Sequence, residues 1–158
     1  MPSTKLKAFL DDQGVKYVSV SHSTAFTAQE AAATAHIPGK DLAKTVIVKL
    51  DGKMAMAVLP ASYRVDLDLL ADATASTVVE IASEDEFSTL FPDCETGAMP
   101  PFGNLYDMDV FVSESLAEDD EIAFAAGTHR ELIRMAYGDF DRLVNPGMLR
   151  FSEVTESA

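Results

Sequence analysis

Apolar residues recur at helical spacing at Leu6, Phe9 and Leu10, just after Ser3, which predicts a capped amphipathic helix ended by Gly14. Residues 17–20 read as a short strand, and Thr27-Ala28-Gln29-Glu30 has capping-box spacing before an alanine-rich helix to about His36, stopped by Ile37-Pro38-Gly39. Two strand-like runs, 45–50 and 54–59, flank Asp51-Gly52-Lys53 and predict a hairpin. A helix is expected over 64–73 with Asp66 as a plausible cap, a strand over 78–82, and a helix opened by the capping box Ser83 to Glu86 and closed by Pro92. Alternation then marks strands over 106–112, 121–126 and 131–136. Asp139 is placed to cap a short helix over 140–144, and the chain beyond Asn145-Pro146-Gly147 has no clear pattern. Short strands mixed with several helices indicate an α/β domain on a mixed, strongly twisted sheet. The expected division is one domain over 1–150 with a tail over 151–158.

A chain of 158 residues with 47% apolar residues can bury an adequate core as a single domain. Cys94 is the only cysteine, so no intrachain disulfide is available, and its acidic neighbours Asp93 and Glu95 disfavour a reactive thiolate. No apolar stretch approaches a membrane span and the first residues do not resemble a signal peptide, so a soluble, cytoplasmic protein with no membrane partner is expected, and a monomer. The formal charge of −14 argues against gripping nucleic acid over a large surface. The charge is uneven, however: residues 1–64 carry eight Lys/Arg against five Asp/Glu, and residues 65–158 carry four against twenty-one. A modest nucleic-acid footprint would therefore fall on the first half, with Lys40, Lys44, Lys49, Lys53 and Arg64 as candidates.

Chemistry concentrates in two stretches. Gly97-Ala98-Met99-Pro100-Pro101-Phe102-Gly103 is stiffened by its prolines, which leave the amides of Ala98, Met99 and Phe102 as donors in a loop of few conformations. Such donors can hold a carbonyl oxygen or an anion, although a rigid turn would use the same residues. In Leu42-Ala43-Lys44-Thr45-Val46-Ile47-Val48 a lysine stands at the mouth of an apolar run, where its ammonium can reach a ligand. His22 and His36 lack the further convergent ligands that zinc needs, the acidic run 118–121 lacks an EF-hand pattern, and no cofactor is expected.

Together, Ala43-Lys44-Thr45-Val46, the 97–103 loop, Ala126-Gly127-Thr128-His129 and Tyr137-Gly138-Asp139-Phe140 resemble the YbaK-type aminoacyl-tRNA deacylases. That family includes the editing domain inserted in bacterial prolyl-tRNA synthetases and its free-standing relatives. The resemblance implies a partly closed mixed sheet with helices packed outside it. It also implies a trans-editing hydrolase that cleaves the ester between a small amino acid, such as Ala or Cys, and the terminal ribose of tRNA(Pro), with the vicinal ribose hydroxyl assisting the attacking water. Its partners would be the acceptor end of a mischarged tRNA and, in a larger complex, a tRNA synthetase. By position, Lys44 with Gly97, Ala98 and Met99 would form the catalytic set, and His22, Phe26, Thr45, Pro100, Phe102 and His129 would contact substrate. Val20 departs from the aromatic residue expected in the cysteine-specific branch. A non-catalytic module that binds an aminoacyl end, a nucleotide or a protein, and an esterase acting on small acyl groups, remain open alternatives.

Overall fold

The structure, a computed structural model, describes residues 4–21, 41–91, 94–95, 98–118, 120–128 and 130–154. Ser3, His22, Phe26, the helix expected to end at His36 with its stop, Lys40, Pro92, Gly97 and His129 lie outside the described residues.

In chain order the elements are α1 (Thr4–Asp12), β1 (Tyr17–Ser21), β2 (Leu42–Leu50), β3 (Lys53–Pro60), β4 (Tyr63–Val65), α2 (Leu67–Thr74), β5 (Val79–Ile81), α3 (Glu84–Phe87), β6 (Asp109–Ser113), β7 (Glu121–Ala125), β8 (Glu131–Ala136), α4 (Tyr137–Val144), β9 (Gly147–Leu149) and β10 (Ser152–Val154). Seven strands form one path, β1-β8-β7-β2-β3-β6-β9, with β5 added on β2. The sheet is mixed: β7 with β2, β3 with β6 and β6 with β9 are parallel, and the other pairs in it are antiparallel. Among the described residues β1 and β9 end the path without pairing to each other, so the sheet does not close fully.

The hairpin at its centre forms as the Asp-Gly signal predicts. Asp51 and Gly52 both take positive φ, Leu50 pairs with Lys53, and the Asp51 carboxylate accepts from the Thr77 and Val78 amides at 2.9 and 2.7 Å. Alternation along β2 and β3 sends side chains to two cores. Ala43, Ile47, Met56 and Val58 enter a large cluster with Leu6 and Leu10 of α1 and Phe140 of α4. Val48, Ala55, Ala57 and Leu59 enter a smaller one with Leu70 of α2 and Phe151. Helices thus cover both faces.

Several boundaries shift for local reasons. The helix expected over 64–73 begins only at Leu67, because residues 63–65 pair with β10; Asp66 is its N-cap, accepting from the Leu69 amide at 3.0 Å. The strand expected from 106 begins at Asp109. Before it the Gly103 carbonyl accepts from the amides of both Tyr106 and Met108, each at 2.9 Å, and Asp107 takes φ 54°, which curls the chain. Asp139 does not cap α4: the strand β8 runs directly into the helix at Tyr137, and Asp139 sits in its first turn, hydrogen bonded by Arg142 at 3.2 Å. The patternless end carries β9 and β10, and Phe151 is fully buried, so ordered structure continues past residue 150. The Ser83 capping box forms in both directions, with Ser83 N donating to Glu86 Oε1 at 2.9 Å and Glu86 N to Ser83 Oγ at 3.3 Å. Among the described residues, no helix is long and apolar enough to cross a membrane.

Candidate active site

β2 has two different partners on the edge that faces away from β3. Leu42 and Ala43 pair with Ala123 and Phe124 of β7, and residues 48–50 pair with β5, so β7 and β5 leave a fork between them. The Ala61 amide bonds to the Leu42 carbonyl at 2.8 Å, so even-numbered residues of β2 direct their main chain to β3 and odd-numbered residues direct theirs to the fork. Thr45 therefore presents its N–H and C=O to the fork, between Ala43, paired to β7, and Ile47, whose carbonyl accepts from Ala82 N at 2.9 Å.

Lys44 occupies the third position of β2, inside the strand rather than before it. Its side chain alternates onto the face shared by Val46 and Val48 and is half-buried there. The ammonium lies 3.4 Å from the Ala61 carbonyl oxygen, and no carboxylate among the described residues pairs with it. Burial without a compensating anion lowers the lysine pKa. A cation held this way is available to an anionic group that enters the site.

The proline loop is fixed at both ends. At its start, residues 95–98 close a turn through Ala98 N to Glu95 O at 3.0 Å. That turn docks on the β7–β8 hairpin: Glu95 N donates to Gly127 O and Gly127 N donates to Ala98 O, both at 2.8 Å. The hairpin itself closes through Ala126 N to Glu131 O at 3.1 Å. At the other end Phe102 is fully buried, with ring centroids 6.1, 5.4 and 5.6 Å from those of Phe9, Phe124 and Phe140.

This geometry revises two expectations. The Ala98 amide bonds inside its own turn, so Ala98 contributes packing and a carbonyl rather than an open donor. Phe102 is an aromatic anchor of the loop, because three rings surround it and leave no face to solvent. Gly103 likewise serves packing: a Cβ there would sit 2.4 Å from the Met108 carbonyl oxygen and 2.6 Å from Val110 Cγ2. Met99 and Pro100 remain in the stiff span between the anchors, and both are buried.

The structure thus joins Ala98 to the turn that begins at Gly127, and places Lys44 and Thr45 on the strand from which β7 diverges just before that turn. No hydrogen bond among the described residues links Lys44 to the loop. Sequence reasoning missed Glu95 and the main chain of Gly127. Ala126-Gly127-Thr128-His129 was visible as a motif, but its main-chain bonds to Glu95 and Ala98 were not, because backbone hydrogen bonding between distant segments leaves no mark on side-chain types. Among the described residues no group of three or more His, Cys, Asp or Glu is arranged to hold a metal ion.

The sequence profile of the aminoacyl-tRNA editing domain matches residues 22–143, a span that contains β2, the proline loop and the β7–β8 hairpin. The chain belongs to the aminoacyl-tRNA editing domain family. Among its relatives, the multifunctional Ser/Thr-tRNA deacylase ProXp-y of Escherichia coli is 28% identical over 155 residues, covering 93% of this chain and 90% of that protein. The proline–tRNA ligase of Bacillus mycoides is 25% identical over 89 residues, which are 56% of this chain and 16% of the ligase. Two solved structures share the fold. The hypothetical protein APE2540 superposes with a TM-score of 0.85 at 18% identity, covering 94% of this chain and 99% of its own. A candidate trans-editing enzyme for prolyl-tRNA synthetase superposes with a TM-score of 0.81 at 21% identity, covering 96% and 97%.

Proposed function

We propose that the protein is a trans-editing hydrolase that removes a small amino acid from mischarged tRNA. The observation that carries this reading is Lys44, a half-buried cation with no carboxylate partner among the described residues, on the forked strand of an editing-family fold. Water attacks the ester carbonyl carbon, the bond to the terminal ribose oxygen breaks, and that oxygen takes up a proton, giving free amino acid and uncharged tRNA. Negative charge gathers on the former carbonyl oxygen in the transition state, where a fixed ammonium and a stiff loop stabilise it most. The vicinal ribose hydroxyl of the substrate assists the attacking water, as in the deacylases this chain resembles. The roles expected of Gly97, His22, Phe26 and His129 belong to this proposal as well.

The resemblance favours Ala or Cys on tRNA(Pro), and the name of the Escherichia coli relative adds Ser and Thr. Ala and Ser differ by a hydroxyl, Cys and Ser by sulfur for oxygen, and Ser and Thr by a methyl, and one such change is worth about 1–3 kcal/mol in an apolar pocket. The test is release of amino acid from Ala-tRNA(Pro), Cys-tRNA(Pro), Ser-tRNA(Ala) and a Thr-charged tRNA by the wild type and by Lys44→Ala. Hydrolysis of at least one, lost in the variant, is the expected result. No acceleration over the protein-free rate for any of the four overturns the reading, and a non-catalytic binding module then leads.

A further inference from the structure

The docked turn assigns a task to a residue whose side chain cannot act. Gly127 uses both of its main-chain groups on one partner: its carbonyl accepts from Glu95 N and its amide donates to Ala98 O. Those two atoms are the ends of the 95–98 turn, which the Ala98 N to Glu95 O bond closes. The three bonds form a ring in which neither segment can slide along the other without breaking at least two of them. Met99-Pro100-Pro101 leaves directly from the pinned Ala98 carbonyl, and Phe102 fixes the far end in the aromatic cluster. Gly127 holds φ +97°, a conformation that side-chain-bearing L-residues rarely adopt, so the ring selects glycine for its backbone. Arg130 N to Thr128 Oγ1 at 3.2 Å adds a local bond within the same hairpin turn.

We propose that Gly127 is the positioning residue of the site. Its main chain sets the proline loop against the β7–β8 hairpin, so that groups on the two segments meet a developing oxyanion at fixed spacing. The proposal rests on the deacylase reading above. It separates from a merely structural role because misplacing groups that act in the transition state lowers kcat while ground-state binding persists.

Two variants test it. Gly127→Ala strains the turn, and a backbone ester with glycolate in place of Gly127 removes the N–H that bonds to Ala98 while keeping the residue's conformational freedom and its own carbonyl. Steady-state deacylation and amide hydrogen exchange by mass spectrometry are measured on each. At least a tenfold fall in kcat is expected in both, with KM within about threefold of wild type. Exchange should accelerate in the peptide that contains Glu95 and Ala98, while β2, β7 and β8 keep their protection. The proposal is overturned if either variant keeps kcat within twofold, if kcat and protection in β2, β7 and β8 are lost together, or if exchange around Glu95 and Ala98 stays as slow as in the wild type. Should the wild type hydrolyse no aminoacyl-tRNA, the functional reading fails separately, and the exchange comparison alone decides the clamp.

Discussion

The two ends of β2 carry lysines five residues apart in opposite electrostatic states. Lys49, on the end closed by β5, is ion-paired with Glu86, whose carboxyl also accepts from the Ser83 amide and is held down at a pKa of about 2. Lys44, on the end where β7 diverges, has the Ala61 carbonyl at 3.4 Å and no carboxylate partner among the described residues. A neutralised lysine at a strand edge serves the fold and its solubility. A half-buried lysine without an anion costs desolvation that the fold does not recover, and a place where stability is given up is where binding or catalysis is to be sought.

Substituting the two lysines separately breaks the comparison most directly. Lys44→Ala should lower kcat/KM for deacylation by about 100-fold or more, the scale of losing one preorganised electrostatic partner of a developing oxyanion. Lys49→Ala should leave kcat/KM within about twofold, because its ammonium is engaged with Glu86. Equal losses in the two variants would mean that general surface charge attracts the tRNA, and the special status of Lys44 would be withdrawn. Repeating both at several salt concentrations separates local chemistry from phosphate attraction, which weakens steeply with salt.

A smaller effect is expected from the core beneath the same strand. Ile47 is 2% exposed and belongs to the large cluster. Ile47→Val should cost about 0.5–1.5 kcal/mol in urea unfolding, with kcat/KM retained by the fraction that remains folded. A stable protein with poor activity would instead show that packing under β2 controls the geometry of the fork.

What could be read in advance divides along the same line. Local signals were legible: the Asp51-Gly52 turn, the Asp66 cap, the Ser83 capping box and the position of β8 each depend on residues within a few positions of one another. The failures came where a distant partner decided the outcome. Residues 63–65 are a strand because β10 lies beside them, and the short apolar stretch around Phe151 gave no periodicity to reveal either. The candidate site was proposed from Lys44 and the proline loop, which declare themselves by residue type, and from the Gly127-Thr128-His129 turn, which entered by resemblance. The use of the Ala98 amide, the burial of Phe102 and the clamp at Gly127 were not legible, since each depends on which atoms the fold brings opposite one another.

The finest distinction between the two lysines is the sign of their pH dependence. Burial lowers the Lys44 pKa below the ordinary 10.5, so between that lowered value and 10.5 the unfolded chain holds a proton that the folded chain has released. Stability then rises with pH across that window, as the cost of burying the charge disappears. The hydrogen bond to Glu86, with its charge and that of Glu80, raises the Lys49 pKa above 10.5. Its contribution is fully present below 10.5 and is lost as pH rises through the raised value. Urea midpoints of Lys44→Met and Lys49→Met, followed from neutral pH to roughly pH 11, should therefore approach wild type from opposite sides. The first variant starts more stable than wild type and the second less stable, and each difference shrinks as its lysine deprotonates. The catalytic profile adds a check, since an ammonium that must be charged to work brings the alkaline loss of kcat/KM below the pH at which an ordinary lysine titrates. Midpoint differences of the same sign in both variants would mean that Lys44 is balanced by a charge in the folded state, and its availability to the substrate would have to be abandoned.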